Sequence, residues 1–230
     1  MQLFRSILSR RMLALILCAI LIYVNAFTSV KVFAKVCTNQ PAFRCTANKQ
    51  AEADQAHNNN LAITAKAAVL IDNASGRILY AKNKDKKLIP ASITKIMTLL
   101  LIFESIEQGK CKLEDKVTVS EYAASMGGSQ VFLEPGETQD VNTMIKCISI
   151  ASANDAAVAM AEHLAGSEQS FVKRMNKKAK ALGMKHTHFK NCNGLDDSIE
   201  SGHYSSAYDV ALMSQSLVSK YPDISKYSTV

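Results

Sequence analysis

From Ser92 to Gln108 apolar side chains occupy nearly every face of a helical wheel: Ile93, Ile96, Met97, Leu99, Leu100, Leu101, Ile102, Phe103 and Ile106, with Gly109 as a stop. A helix that is apolar all round belongs in the interior, so this segment is expected to be the central helix of the fold. Upstream the pattern is strand-like. Ala67–Asp72 and Ile78–Tyr80 read as two short strands around Asn73-Ala74-Ser75-Gly76, whose Asn and Gly suit a hairpin turn. A lone hairpin is marginal in water, so it must join further strands or rest on helices. Downstream, the spacing predicts helices over Val141–Ile150, Asp155–Leu164 and Ser170–Leu182. The last of these places Phe171, Met175, Ala179 and Leu182 on one face and lysines on the other, with Gly183 as its stop. A final helix is expected from about Ser206, capped with the help of Asp209, to about Val218. The pattern predicts a mixed α+β fold with a hairpin first and a helical lobe after it. No internal repeat is present.

Two N-terminal stretches lie outside this pattern. A basic segment through Arg11, an apolar run from Met12 to Val24 and a small-x-Ala site at Val32-Phe33-Ala34 have the three parts of a secretory signal, with Val24-Asn25-Ala26 as a second cleavage candidate. The strict apolar run of 13 residues is short of the roughly 20 that a spanning helix needs, so residues 1–34 are read as a cleaved signal. Left uncleaved, residues 12–24 would associate the chain with the membrane. Cys18 follows bulky Ile16 and Leu17, unlike a lipid-attachment site. Residues 35–65 are polar, pass through Asn58-Asn59-Asn60 and read as a flexible lead-in to a domain at 66–230. The expected location is extracytoplasmic, at the cell wall or membrane.

At 230 residues and 48% hydrophobic content the chain has material for one sizeable core. The net charge of +7 suggests nucleic acid only until it is mapped. Arg5, Arg10, Arg11 and Lys31 lie in the first 34 residues, which contain no acidic residue; the remainder has 23 basic against 20 acidic residues and no basic stripe. No nucleic-acid partner is expected. Of six cysteines, Cys18 leaves with the signal, and Cys37, Cys45, Cys111, Cys147 and Cys192 remain, an odd number without a C-x-x-C pair. Cys37 and Cys45 are close enough in sequence to close a small loop, and the others read as buried structural thiols. His186 and His188 alternate as on a strand, without a third ligand at fitting spacing, so no metal is expected.

The candidate chemistry begins at Ser92-Ile93-Thr94-Lys95. Three residues apart on the first turn of a helix, the hydroxyl of Ser92 and the amine of Lys95 share one face. Serine needs an adjacent base, and lysine serves as one when desolvation or nearby positive potential lowers its pKa. Both conditions hold at the N-terminus of an apolar helix. For an isolated S-x-x-K, a serine that caps the helix and a lysine that reaches solvent is the ordinary explanation. The second element, Ser152-Ala153-Asn154, lies between two apolar helical segments; taken singly, Ser152 reads as the cap of the helix beginning near Asp155.

Together, in this order and with Met126-Gly127-Gly128-Ser129-Gln130, Leu133-Glu134-Pro135-Gly136-Glu137 and Gly202-His203-Tyr204-Ser205 around them, these elements resemble the exported D-alanyl-D-alanine carboxypeptidases of the low-molecular-weight penicillin-binding proteins. The similarity covers about residues 66–230. It implies a β-lactamase/DD-peptidase-like fold in which Ser92 attacks the peptide bond between two D-alanines ending a peptidoglycan stem. Lys95 would take the serine proton, Ser152 would relay a proton toward the departing D-alanine, and Asn154 would bind the substrate backbone and help fix the lysine. Penicillins and other β-lactams would trap Ser92, no cofactor would be needed, and the role would lie in cell-wall biogenesis and cell shape. The family's third motif, Lys-Thr-Gly, does not occur up to Val230. The resemblance therefore implies an incomplete fold without three central sheet strands, a C-terminal helix, the later domain and its membrane anchor. A non-catalytic remnant and a serine β-lactamase are the alternatives. The segments around Gly127 and Gly202 favour the carboxypeptidases.

Overall fold

The computed structural model describes residues 63–195 and 199–228; the signal, most of the lead-in, Cys37 and Cys45 lie outside the described residues. Strands β1 (Ala68–Ile71) and β2 (Ile78–Lys82) form the expected antiparallel hairpin, with an irregularity in register between Leu70 and Ile71. Its turn closes because Asp72 accepts from the backbone N–H of Ser75 at 2.8 Å through its carboxylate and from that of Gly76 at 2.8 Å through its carbonyl.

The central helix α1 runs over Lys95–Glu107, and its buried residues, among them Met97, Leu100, Leu101 and Ile102, lie on all sides as its sequence requires. Each such side chain contributes about 1.5–3 kcal/mol by leaving water. Around α1 pack α3 (Val141–Ile150), α4 (Asn154–Ala165), α5 (Glu168–Ala181) and α6 (Ala207–Lys220). Helix α4 is narrow, its buried face built from Ala156, Ala157, Ala159 and Ala161, which lets it sit in the middle of its neighbours. Caps set the starts of three helices: Asp140, Ser167 and Ser206 accept from the N–H groups of Thr143, Ser170 and Asp209. Helix α6 rests on the hairpin, and Gln215 donates to the Asn73 carbonyl at 2.6 Å. The hairpin thus finds the helical support its marginal stability demands.

Three elements differ from the sequence reading. The lobe is not all helical: β3 (Lys116–Thr118) and β4 (Thr138–Asp140) form a second antiparallel ribbon, and a four-residue helix α2 spans Glu121–Ala124. Three-residue strands are too short to produce a readable alternation. His186 and His188 do approach a strand at the His188–Tyr204 bridge, but their rings go to separate partners. His186 faces the Asp85 carboxylate at 3.7 Å and His188 Nδ1 meets the Gly202 carbonyl at 2.7 Å. No helix among the described residues is long and apolar enough to cross a membrane. Cys111, Cys147 and Cys192 are free thiols.

Candidate active site

The α-helix does not begin at Ser92. Ala91–Thr94 form a 3₁₀ turn that leads into α1 at Lys95. In 3₁₀ geometry residues three apart eclipse one another. This brings Lys95 Nζ to 3.3 Å from Ser92 Oγ, a separation that suits an ammonium donating to the hydroxyl or the hydroxyl donating to a neutral amine. Neither ordinary explanation of S-x-x-K holds here. The residue preceding α1 is Thr94, whose side chain makes no capping bond, and Lys95 is only 3% exposed instead of reaching into solvent.

The same turn is pinned from below by the segment following α5. Lys95 Nζ donates to the Asn193 carbonyl at 2.8 Å, Thr98 Oγ1 donates to the Cys192 carbonyl at 2.6 Å, and Thr94 Oγ1 pairs with His203 Nε2 at 2.9 Å. Among the described residues Lys95 has no carboxylate partner. Burial therefore dominates and lowers its pKa from the ordinary 10.5 to about 8. Ser92 is exposed at the mouth of the arrangement. A hydroxyl open to substrate thus stands against an amine that is partly neutral near physiological pH, the pairing an activated serine requires.

Asn193 and Gly194 were not legible as site residues, since Asn191-Cys192-Asn193-Gly194 reads only as a turn. Their geometry is tightly determined. Asn191 and Asn193 side chains accept from the backbone N–H groups of Gly194 at 2.7 Å and Leu195 at 2.8 Å, and Glu168 accepts from the Cys192 N–H at 3.0 Å. The same Glu168 accepts from the Tyr122 hydroxyl at 2.7 Å, which pushes the Tyr122 pKa up to about 12. Gly194 has φ of +84°, and a Cβ there would overlap the Ala91 carbonyl beside Ser92. Gly194→Ala is expected to lower the unfolding free energy by at least about 3 kcal/mol. Urea denaturation checks this; an unchanged midpoint would mean that the segment can move away from the Ala91–Thr94 turn at little cost.

The second motif is only partly gathered in. Asn154 opens α4 and lines, with Ser92, Gly128, Ser129 and Leu195, an open depression. Its amide donates to the Gly127 carbonyl at 2.7 Å and its backbone N–H to the Ser129 carbonyl at 2.7 Å. Asp155 completes the clamp by accepting from the N–H groups of Val131 and Leu133, each at 3.1 Å. Asn154 therefore holds the 127–129 wall, and the lysine amine donates to the Asn193 carbonyl. Ser152 sits half-buried in the turn between α3 and α4 with φ of +54°, a strained conformation for a residue with a side chain. It does not cap α4, whose preceding residue is Ala153, and its hydroxyl bonds to no described residue. Nor does it line the depression that Ser92 and Asn154 share.

The arrangement has known counterparts. A model of the D-alanyl-D-alanine carboxypeptidase family matches residues 50–230. The D-alanyl-D-alanine carboxypeptidase DacF of Bacillus subtilis (strain 168) is 57% identical over 178 residues, covering 77% of this chain and 45% of that protein. Among solved structures, the D-alanyl-D-alanine carboxypeptidase DacD from Francisella tularensis superposes with a TM-score of 0.70 at 36% identity, over 74% of this chain and 40% of that one. Penicillin binding protein 5 from Haemophilus influenzae superposes at 0.68 and 38% identity, over 72% and 48% respectively. The chain spans less than half the length of these relatives. From the serine on its 3₁₀ turn to the helical lobe beneath it, the chain belongs to the D-alanyl-D-alanine carboxypeptidase family.

Proposed function

We propose that this chain carries the nucleophile and base of an exported serine-type D-Ala-D-Ala carboxypeptidase that removes the terminal D-alanine from peptidoglycan stem peptides and is acylated by β-lactams. The observation that carries the reading is the 3.3 Å approach of a buried lysine amine, held by the Asn193 carbonyl, to an exposed serine hydroxyl. Residues 1–34 serve as the export signal, 66–230 as part of the catalytic domain, and the site of action is extracytoplasmic, in the building of the wall and thereby of cell shape.

In the proposed reaction Ser92 Oγ attacks the carbonyl carbon between the two D-alanines while Lys95 Nζ takes the hydroxyl proton. The tetrahedral adduct collapses, the C–N bond breaks, and the departing amine receives the proton that Lys95 took from Ser92. Water then attacks the Ser92 ester and gives a proton to the neutral lysine, the ester C–O bond breaks to release the shortened stem, and Lys95 returns the proton to Ser92 Oγ. Asn154 and the 127–129 wall it holds orient the peptide alongside Ser92. A β-lactam enters the same first step, its ring amide taking the place of the D-Ala-D-Ala bond.

The test is turnover by the protein made from its complete reading frame, offered an acyl-L-Lys-D-Ala-D-Ala tripeptide and, separately, benzylpenicillin. Release of free D-alanine with a long-lived penicilloyl adduct is the expected result. Rapid penicillin hydrolysis without D-alanine release would point to a β-lactamase, and a folded protein that does neither would be a non-catalytic remnant.

A further inference from the structure

We propose that Cys111, Asp115 and His163 form a zinc-binding site at the opposite end of α4 from Asn154. The Cys111 sulfur, an Asp115 carboxylate oxygen and a His163 ring nitrogen all lie within 4.8 Å of one another. Bonds of about 2.0–2.3 Å to a tetrahedral zinc place such ligand atoms roughly 3.3–3.7 Å apart, so side-chain rotations of about 1 Å close the site.

Two of the three ligands stand on a braced loop between α1 and β3. Asp115 accepts from the Lys112 N–H at 2.8 Å through one carboxylate oxygen, its own N–H donates to the Lys112 carbonyl at 3.2 Å, and its carbonyl accepts from the Val141 N–H at 3.1 Å. A carboxylate has lone pairs beyond that single bond. The third ligand comes from the last turn of α4, just before Gly166 ends the helix in the left-handed conformation. The His163 ring makes no hydrogen bond with a described residue, and it is exposed, so solvent has access to a fourth coordination position. A cation there also faces the negative end of the α4 dipole.

The donor set selects the metal. Thiolate with imidazole and one carboxylate suits a borderline-soft ion such as zinc and is wrong for calcium or magnesium, which take oxygen ligands. On binding, the Cys111 S–H bond gives way to a sulfur–zinc bond and its proton leaves to solvent. The bound ion would tie the α1–β3 loop to the end of a helix whose first turn carries Asn154 and Asp155. It would act as a structural staple, independent of Ser92 chemistry. Nothing in the spacing announces it: His163 lies 48 positions beyond Asp115, and only packing brings them together.

Cobalt(II) reports the site directly. Metal-free protein from the complete reading frame, titrated with cobalt near neutral pH, should take up one equivalent, with a thiolate-to-cobalt charge-transfer band in the near ultraviolet and four-coordinate d–d bands that zinc abolishes. His163→Ala, at an exposed position, should fold as the parent does by circular dichroism yet lose the band and bind zinc more than about 100-fold more weakly, beyond what losing an outer-sphere contact costs. Cys111→Ser should abolish the charge-transfer band. Absence of the band in the parent protein would overturn the proposal, as would unchanged zinc affinity in His163→Ala, which would assign any bound metal to other histidines or thiols.

Discussion

Ser92→Ala is expected to reduce D-alanine release by a factor on the order of 10⁶, the scale seen when the nucleophile of a serine enzyme is removed. The reason lies in how completely the hydroxyl is committed. Its hydrogen bond is to Lys95, it is open to the depression that Asn154 lines, and no backbone group among the described residues depends on it. For the same reason the fold should not notice. An exposed side chain with one long polar contact contributes within about 0.5 kcal/mol to stability, so the melting temperature of the variant should match that of the parent. Steady-state release of D-alanine alongside a thermal melt checks both halves. Retained turnover would show that another group attacks the substrate.

Lys95→Met is expected to cost about 10²–10⁴-fold in the same assay, the contribution of a positioned general base. The pH dependence separates this from a structural effect. In the parent, kcat/KM should rise as Lys95 loses its proton through about pH 8 and level off above it; the variant should lack that limb. Stability carries an independent signature. The folded pKa of about 8 lies below the ordinary 10.5, so between the two the unfolded chain holds the extra proton. The lysine's contribution to unfolding free energy therefore rises with pH across that window, and below pH 8 the cost of burying the charge is fully present, about 3 kcal/mol. Urea unfolding at several pH values should show the parent gaining stability relative to Lys95→Met between pH 8 and 10.5. A constant difference would mean that Lys95 titrates normally and is a poor base.

Much of this architecture is legible from residue pattern because the relevant interactions are local. The all-round apolar run of α1, the Asn73–Gly76 turn and the Ser206 cap each depend on neighbours a few positions away. Ser92 and Lys95 belong to the same class, since their approach follows from a separation of three residues on one turn. What pattern does not reveal is long-range. The Asn193 carbonyl that fixes Lys95 comes from 98 positions away, and Gly194 matters because of where Ala91 happens to lie. The β3–β4 ribbon is hidden by its brevity, with Val117 the fully buried residue of the first strand. Asn154 was readable as a site residue, but its work on the Gly127 and Ser129 carbonyls depends on a loop that folds back from 25 to 27 positions earlier.

The central claim is that Ser92 is the acylated nucleophile. Its most direct test is to treat the protein from the complete reading frame with benzylpenicillin, digest it and locate the adduct by tandem mass spectrometry. The account predicts one penicilloyl group per chain, on the peptide containing Ser92 and absent from Ser92→Ala. An adduct on Ser152 or another residue, or a folded protein left unmodified, would contradict it.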